Sequence, residues 1–393
     1  MDWPSTATED RTWDPPPDRV GVTRAERATV GRIYHAAVPP NIADLKPQVS
    51  AAVAAMSEEA VAEIRAFDAE SKGEIGAFAS ILLRTESASS SQIEQLTASA
   101  RAIAEAEVTS EGSGNAAVIA ANSDAMAAAL RLANDLDLDA IVEMQRALLQ
   151  ASAPQMLGLR EEPVWIGGPG STPVNADFVP PANDRVEPAL MDLVAFMRRD
   201  DMPVLIQAGI AHAQFETIHP FVDGNGRTGR ALVHALLRGK GITTRVTVPV
   251  SGGLLQDKAT YIEALDAYRA GQIEPIVRAF AVSALHAVQH GRKMSQRLDA
   301  VRAKWRRTVK ARSDSAVWRL LDVLIAHPVL DAEIAAQELG VAVTNVHRHL
   351  ATLTEAGVLV RFDHFKSRRT LWRAPDVLAV VDAYSADVGR RQR

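Results

Sequence analysis

Apolar residues recur at helical spacing along most of the chain. Positions i, i+3, i+4 and i+7 share one face of a helix, so this spacing predicts amphipathic helices that bury one side. The sequence therefore predicts a mainly α-helical fold. The segments with this spacing are residues 57–83, 116–131, 138–150, 186–198, 203–218, 227–238, 252–268 and 273–290.

A short β-hairpin is predicted between two of these helices. Val164, Trp165 and Ile166 form one extended apolar run, and residues 176–179 form a second. The glycine-rich stretch that begins at Gly167 separates the two runs and supplies turn residues. The edge of such a hairpin can pair with an extended peptide through backbone hydrogen bonds. The alternative is a surface hairpin that has no partner.

The C-terminal region has a pattern of its own. Residues 317–325 predict a helix, residues 331–356 a helix-turn-helix unit, and residues 358–373 two strands. This order resembles a winged helix. In such a domain the second helix of the helix-turn-helix unit can enter the major groove of DNA. The alternative is a domain that only packs or dimerises, because a fold does not fix a function. The side chains expected at DNA are Asn345, His347 and Arg348 facing the groove, and Arg368 and Arg369 at the phosphates.

Charge is distributed unevenly over the 393 residues. The net charge is −5, but residues 290–393 carry 19 Lys and Arg against 11 Asp and Glu, and the remainder carries 24 against 37. A basic end on an acidic body fits a nucleic-acid surface, and it equally fits a solvated linker helix. The chain contains no cysteine, which excludes disulfides and thiolate metal sites. Without a signal-peptide pattern or an apolar run of about 20 residues, we expect a cytoplasmic protein with no membrane partner.

These patterns divide the chain into five expected regions. The first is an arm rich in Pro, Asp and Thr, and its first 19 residues or so are expected to be extended or mobile. The ranges are 1–50 for the N-terminal arm, 51–115 for an N-terminal helical region, 116–290 for a helical core, 291–312 for a basic linker helix, and 313–393 for the winged-helix domain.

One stretch between two predicted helices carries the candidate chemistry. It reads His-Pro-Phe-Val-Asp-Gly-Asn-Gly-Arg-Thr-Gly-Arg from His219 to Arg230. Pro220 ends the first helix, and two glycines around Asn225 permit positive φ and let backbone N–H groups converge. The next helix then presents the N–H groups of its first turn and the positive end of its dipole. The stretch therefore predicts an anion site, with phosphate as the expected ligand.

Four side chains of this stretch suit chemistry at phosphorus. Arg227 and Arg230 are three residues apart, so both can reach the same ligand from one side of the helix. Asp223 offers a carboxylate that can hold Mg²⁺ against phosphates, and His219 is placed to take a proton. Taken singly, each residue type is more common in a structural role. The complete string is what points to function.

The string resembles the signature of the Fic family, His-Pro-Phe-x-Asp/Glu-Gly-Asn-Gly-Arg-x-x-Arg, and departs from it at no position. The resemblance covers roughly residues 84–280. It implies a Fic-type helical bundle with a small hairpin flap. It also implies transfer of AMP from ATP, with Mg²⁺, to a Ser, Thr or Tyr hydroxyl of a target protein, including this protein itself. Some relatives transfer phosphate or phosphocholine instead.

The same resemblance implies a role for each matching residue. His219 is the expected base, and Asp223 is the expected Mg²⁺ ligand. The remaining residues are Gly224, Asn225, Gly226, Arg227 and Arg230 at the phosphates, Gln256 on the adenine side, and Val164, Trp165, Ile166 and Gly167 in a flap that pins the target peptide.

A second segment resembles the inhibitory helix of Fic proteins, Ser/Thr-x-x-x-Glu-Gly/Asn. It maps to Ser90 and Glu94, with Gln95 in place of the usual Gly or Asn, a departure that bears on the helix end. Ser90 or its neighbour Ser89 is expected to cap a helix that runs to about Glu107. The alternative for Glu94 is a solvated surface residue.

The sequence leaves several functions and partners open. The first function is AMP transfer restrained by Glu94. The second is transfer of another phosphate-containing group, such as phosphate or UMP, by the same site. The third is a DNA-binding regulator whose Fic body only senses nucleotide. A homodimer is also an open alternative.

Replacing Glu94 by glycine should raise transfer. In the family comparison Glu94 pairs with Arg230, where it takes the place of a γ-phosphate oxygen. Removing the carboxylate should increase self-modification or target modification about tenfold or more, which corresponds to about 1.4 kcal/mol of transition-state stabilisation. Labelled nucleotide on protein measures the change, and the double variant with His219→Ala should be inactive. Unchanged transfer in Glu94→Gly would contradict the inhibitory role.

Overall fold

The structure, a computed structural model, describes residues 3–14, 24–71, 75–109, 114–168, 172–365 and 367–389. Its helices are Arg24–Arg27 (α1), Ala51–Glu70 (α2), Ile75–Ile93 (α3), Ala100–Thr109 (α4), Asn115–Arg131 (α5), Leu138–Leu149 (α6), Asn183–Arg198 (α7), Val204–Ile218 (α8), Asn225–Gly239 (α9), Val250–Gln256 (α10), Lys258–Arg269 (α11), Glu274–Thr308 (α12), Ala316–Ala326 (α13), Ala332–Leu339 (α14), Val343–Glu355 (α15) and Pro375–Val388 (α16). The mainly helical fold expected from the sequence is confirmed.

The strands form two small antiparallel sheets. Ala7–Thr12 (β1) pairs with Ile33–Val38 (β2), in a register that places Ala7 opposite Val38. The second sheet has the order β3-β5-β4. Its strands are Val329–Leu330 (β3), Val360–His364 (β4) and Arg369–Arg373 (β5).

The chain forms two compact units, and each draws on separate stretches of sequence. The first unit contains residues 1–58, 128–240 and 259–280, and the second contains residues 59–127, 241–258 and 281–393. The five contiguous regions expected from the sequence stay a prediction about domains. Within the described ranges, no helix combines the length and the apolar character that a membrane span requires.

Helix α8 is the centre of the first unit. Every residue from Leu205 to Ile218 is buried. Most carry apolar or small side chains, and the buried amides of Gln207 and Gln214 donate to backbone carbonyls. Helix α9 approaches it closely at Gly229, where an added Cβ would lie 2.8 Å from Cδ1 of Phe215. This contact fixes the two helices that flank the His219–Arg230 stretch.

The N-terminal arm is extended at residues 7–12, as expected, but there it is paired in a sheet and not mobile. Strand β1 pairs along its whole length with β2. Trp13 and Tyr34 are buried with Val179 in a small apolar cluster. The composition rule failed because two tryptophans and a pairing strand supply the burial that the polar residues lack. Pro15 to Pro17 lie outside the described residues.

The second unit joins α3 to a C-terminal group of helices. Helix α3 packs against α10, α13 and α16. Helices α13 to α15 and the sheet β3-β5-β4 lie where the sequence predicts a winged helix. The winged-helix assignment and its binding to DNA both stay predictions. The basic stretch from residue 291 does not begin a new helix, because α12 runs unbroken through Gly291. An added Cβ at Gly291 would lie 2.6 Å from Cζ of Phe67, so glycine serves close packing there.

Asp68 holds the segment that follows α9. Its carboxylate accepts hydrogen bonds from the N–H groups of Thr244 (3.1 Å), Arg245 (2.8 Å) and Val246 (2.9 Å), and from the Thr244 hydroxyl (2.7 Å). Burial acts to raise the pKa of Asp68, but the hydrogen bonds outweigh it and hold the pKa below its usual value. The ionised carboxylate therefore stabilises the fold.

Asp68→Asn should lower the free energy of unfolding by about 1–3 kcal/mol near neutral pH, because buried N–H groups lose acceptors. A carboxylate whose pKa is lowered by folding stabilises the protein at pH values above its pKa in the unfolded chain, which is about 3.9. That stabilisation is lost as the pH falls through the pKa of the folded protein. The difference between wild type and variant should therefore shrink below about pH 4. Denaturant titrations at several pH values measure it, with Glu59→Gln on the exposed side of α2 as the control. A difference that grows towards acid pH would contradict the assignment.

Candidate active site

His219 lies at the C-terminal end of α8 in a left-handed conformation, with φ 49° and ψ 62°. Few non-glycine residues adopt this region, and those that do cluster at functional sites. The backbone holds it there, because the His219 N–H donates to the Phe215 carbonyl at 2.8 Å. Nε of the buried Arg160 donates to the His219 carbonyl at 2.8 Å. The turn at this residue is therefore fixed from both sides.

The imidazole of His219 is neutral at physiological pH. Burial is the largest cause that lowers its pKa, and the charges of Arg160 and Arg269 lower it further, to about 3. Nδ1 of His219 lies 3.7 Å from Oε2 of Glu216. Nδ1 is buried and has no hydrogen bond to another described residue. A neutral imidazole can accept a proton, which a general base requires.

One amide side chain closes the loop between α8 and α9. Asn225 Oδ1 accepts from the Phe221 N–H at 2.9 Å, and Nδ2 donates to the Phe221 carbonyl at 2.9 Å. Gly224 has φ 83°, and an added Cβ would lie 2.8 Å from Cδ2 of Leu148. The side chain of Asn225 therefore shapes the loop. In this stretch, the groups available to contact an anion are backbone N–H groups and the side chains of Arg227 and Arg230.

Two buried arginines follow in the first turns of α9. Arg227 and Arg230 are each 3% exposed. Nη2 of Arg227 lies 3.3 and 3.4 Å from the two carboxylate oxygens of Asp223. The charge of Arg230 contributes, after burial, to lowering the pKa of His212 to about 3. Two buried cations at the positive end of a helix form a strong anion site.

Comparisons with known proteins agree with this geometry. Residues 135–237 match the family described as Fic/DOC family. These residues form a Fic domain. The resemblance predicted from the His219–Arg230 stretch is thereby confirmed.

The relatives of this Fic domain are matched over part of their length. Protein adenylyltransferase fic-1 of Caenorhabditis briggsae is 30% identical over 177 residues, which cover 42% of this chain and 32% of that protein. Protein adenylyltransferase Fic of Nematostella vectensis is 28% identical over 156 residues, with 39% and 33% covered. The chain thus spans about a third of the length of the curated relatives it matches.

A solved structure shares the fold. The crystal structure of a Fic family protein from Desulfovibrio desulfuricans G20 is 19% identical and superposes with a TM-score of 0.51. The superposition covers 84% of this chain and 98% of that one. The likeness shows a common helical fold.

Asp223 is the residue of the Fic domain that fits Mg²⁺. Its side chain is half exposed, and Oδ1 accepts from the Gly224 N–H at 2.6 Å. Within the described ranges no cluster of three or more His, Cys, Asp or Glu is arranged to hold a metal. Mg²⁺ commonly binds through one or two carboxylates together with substrate phosphates. A lone carboxylate at a phosphate loop therefore fits an ion that arrives with nucleotide.

The segment expected to be inhibitory lies in the second unit, and its helix boundaries differ from the prediction. Ser90 is buried inside α3 and does not begin a helix, and Glu94 follows the last residue of α3. The serine-cap rule failed because serines here bond back along the helix, as Ser91 Oγ does to the Ser87 carbonyl at 2.9 Å. Gln95 has φ 65° and ends the helix where relatives are expected to carry Gly or Asn.

Gln256 ends α10 in the same unit. Its side chain is 8% exposed, and neither its amide nitrogen nor its amide oxygen has a hydrogen-bond partner among the described residues. Such an amide suits a ligand that both donates and accepts, as the edge of adenine does. Helix α3 is hydrogen-bonded to α10 and to the first residue of α11. Glu86 accepts from the N–H and the hydroxyl of Ser251, and Lys258 donates to the Ile93 carbonyl.

The expected flap has less strand pairing than a two-stranded hairpin. Ile166 and Phe178 form one isolated bridge, with N–H to carbonyl distances of 2.8 and 3.1 Å. Trp165 packs edge-on against Trp13 at 5.7 Å between ring centroids. Gly167 has φ 68°, which suits its place in the turn. Val164 precedes the bridge, and part of the turn lies outside the described residues. The role of the flap stays a prediction.

The residues expected at DNA divide into two groups. Asn345, His347 and Arg348 are exposed on α15, and Arg368 is exposed with φ 53°. Arg369 instead forms ion pairs, with Nη1 3.2 Å from Oδ2 of Asp331 and Nη2 3.4 Å from Oε2 of Glu333. Two carboxylates therefore already neutralise its charge. Contact with DNA stays a prediction for the exposed group.

Sequence reasoning missed Arg160 and Glu216. Arg160 donates to four backbone carbonyls, among them those of Ile218 and His219, and burial lowers its pKa to about 10. Neither residue belongs to a motif. The available signal was an acid three residues before His219 on the same helix, which is too common to be informative.

His219 should remain unprotonated through the mildly acidic range. Burial and two nearby arginines set a pKa of about 3, so its NMR signal should stay at the neutral position down to roughly pH 4. Free histidine in the same sample should titrate near pH 6.5 as the reference. A midpoint for His219 near that of free histidine would show that the site is not desolvated as described.

Proposed function

We propose that the protein transfers AMP from ATP to a Ser, Thr or Tyr hydroxyl of a target protein. The observation that carries the proposal is a neutral His219 beside a rigid loop that opens into a helix start with two buried arginines. The relatives from Caenorhabditis briggsae and Nematostella vectensis are named protein adenylyltransferases, which supports the same activity.

The reaction begins at the imidazole. Nδ1 of His219 is buried, so Nε2 is the nitrogen that meets the substrate hydroxyl. Nε2 takes the proton while the hydroxyl oxygen bonds to the α-phosphorus. The bond from the α-phosphorus to the oxygen bridging to the β-phosphate breaks, and pyrophosphate leaves with the electron pair. The negative charge of bound phosphates raises the pKa of His219 from its value in the empty site, which improves it as a base.

Binding and orientation come from the loop and α9. The backbone around Gly224 and Gly226 faces the phosphates, while Asn225 keeps the loop in shape. Arg227 and Arg230 neutralise phosphate charge, and buried positions make that charge effective. Asp223 would hold Mg²⁺ with the phosphates, and the ion would supply further charge neutralisation. The rate then depends mainly on positioning and fixed charge.

His219→Ala should reduce transfer by more than about 10²-fold while ATP binding persists, because a general base is lost and the phosphate contacts remain. The measurement uses α-labelled and γ-labelled ATP in parallel, in the Glu94→Gly background so that restraint does not mask activity. His35→Ala, exposed on β2, is the matched control and should transfer normally.

The position of the label separates the alternatives. Label from the α-phosphate on protein supports nucleotidyl transfer. Label from the γ-phosphate alone would indicate transfer of phosphate instead. Nucleotide binding with no label on protein in either background would favour a protein that only senses nucleotide, and would overturn the proposed transfer.

A further inference from the structure

A cavity of about 170 Å³ lies beside α3 in the second unit. Helix α3 contributes Ile81, Arg84, Ala88 and Gln92 to its wall. These positions are three or four residues apart, so they form one continuous face of the helix. The cavity therefore follows the helix that ends at Ile93, one residue before Glu94.

The remaining wall is largely apolar. Its side chains include Ile103, Ile119, Leu378 and Val381. An engineered cavity of about 150 Å³ with apolar lining is known to bind benzene. A compound with one six-membered ring therefore matches the volume.

Arg84 is the charged residue of the cavity wall, which also contains the polar residues Gln92, Thr97 and Ser385. Its Nε donates to Oε2 of Glu107 at 2.6 Å, and Nη1 donates to the Ala326 carbonyl. The carboxylate of Glu107 balances its charge, so a bound compound does not need to be an anion. Among the described residues Nη2 has no hydrogen-bond partner, so its two N–H groups can donate to a neutral acceptor.

We propose that this cavity binds a neutral compound with a single ring and one hydrogen-bond acceptor, and that the compound holds α3 in its observed position. The ring would pack against the apolar wall, and the acceptor would take the hydrogen bond from Arg84. Glu86 bonds α3 to Ser251 in α10, and the Ile93 carbonyl bonds α3 to Lys258 at the start of α11. A ligand on the cavity face adds contacts to α3 that only the folded helix can make, so it slows opening of the helix.

Phenol is the probe, and benzene is its partner without an acceptor. Phenol should raise the melting temperature by about 2 °C or more at saturation, because a ligand stabilises only the state that binds it. It should also slow hydrogen exchange of the amides in residues 75–93, and benzene should bind more weakly. None of these measurements depends on AMP transfer, so failure of the proposed function leaves the test intact.

Filling the cavity provides the decisive comparison. Ala88→Leu on α3 and Ala104→Leu on α4 add atoms from two different walls, and each should abolish the response to phenol. Ala386→Leu adds the same atoms at an exposed position of α16 and should keep the response. If one filled variant fails to fold, the other still decides. An equal response in a folded filled variant, or no response of the wild type to phenol, overturns the proposal.

Discussion

The candidate active site depends on the two hydrogen bonds between the Asn225 side chain and the backbone of Phe221. They close the turn between α8 and α9, so the end of one helix and the start of the next keep a fixed separation. His219 belongs to the first helix end, and the arginines belong to the second helix start. A buried amide with both partners satisfied is rigid because any other loop shape would leave polar atoms unpaired. His219 and the two arginines therefore keep one arrangement without a ligand to impose it.

Burial of cations explains the electrostatics of the first unit. Arg160 and Arg269 lower the pKa of His219, after burial has done most of the work. Arg230 acts in the same sense on His212. A protein that places this much positive charge in a region of low dielectric gains stability when an anion arrives. The buried cations that keep these two histidines neutral therefore also favour an anion as a ligand.

The sequence predicted the Fic resemblance better than it predicted the boundaries of the helices and strands. The stretch from His219 to Arg230 was informative because each of its fixed residues answers a local demand, such as positive φ at Gly224. The sequence did not predict the end of α3. A serine in this segment is expected to cap a helix, but in the structure the serine hydroxyl donates to a carbonyl one turn earlier in the same helix. Strand β1 was missed because its partner lies some 20 residues away, and pairing between distant strands leaves little local signal. Arg160 was missed because its role comes entirely from tertiary contacts.

The end of α3 shows how a departure from a family pattern can leave geometry intact. The Leu96 N–H bonds to the Ser91 carbonyl, and the Gln95 N–H bonds to the Gln92 carbonyl, which is the arrangement that ends helices with a left-handed residue. Glycine adopts that conformation freely, whereas a residue with Cβ pays about 1–2 kcal/mol for it. Gln95 therefore keeps the turn and lowers its stability. A helix end of this kind opens more readily than one with glycine, and Glu94 is the residue just before it. The departure at Gln95 thus bears on how firmly Glu94 is held, and it leaves the direction of the chain unchanged.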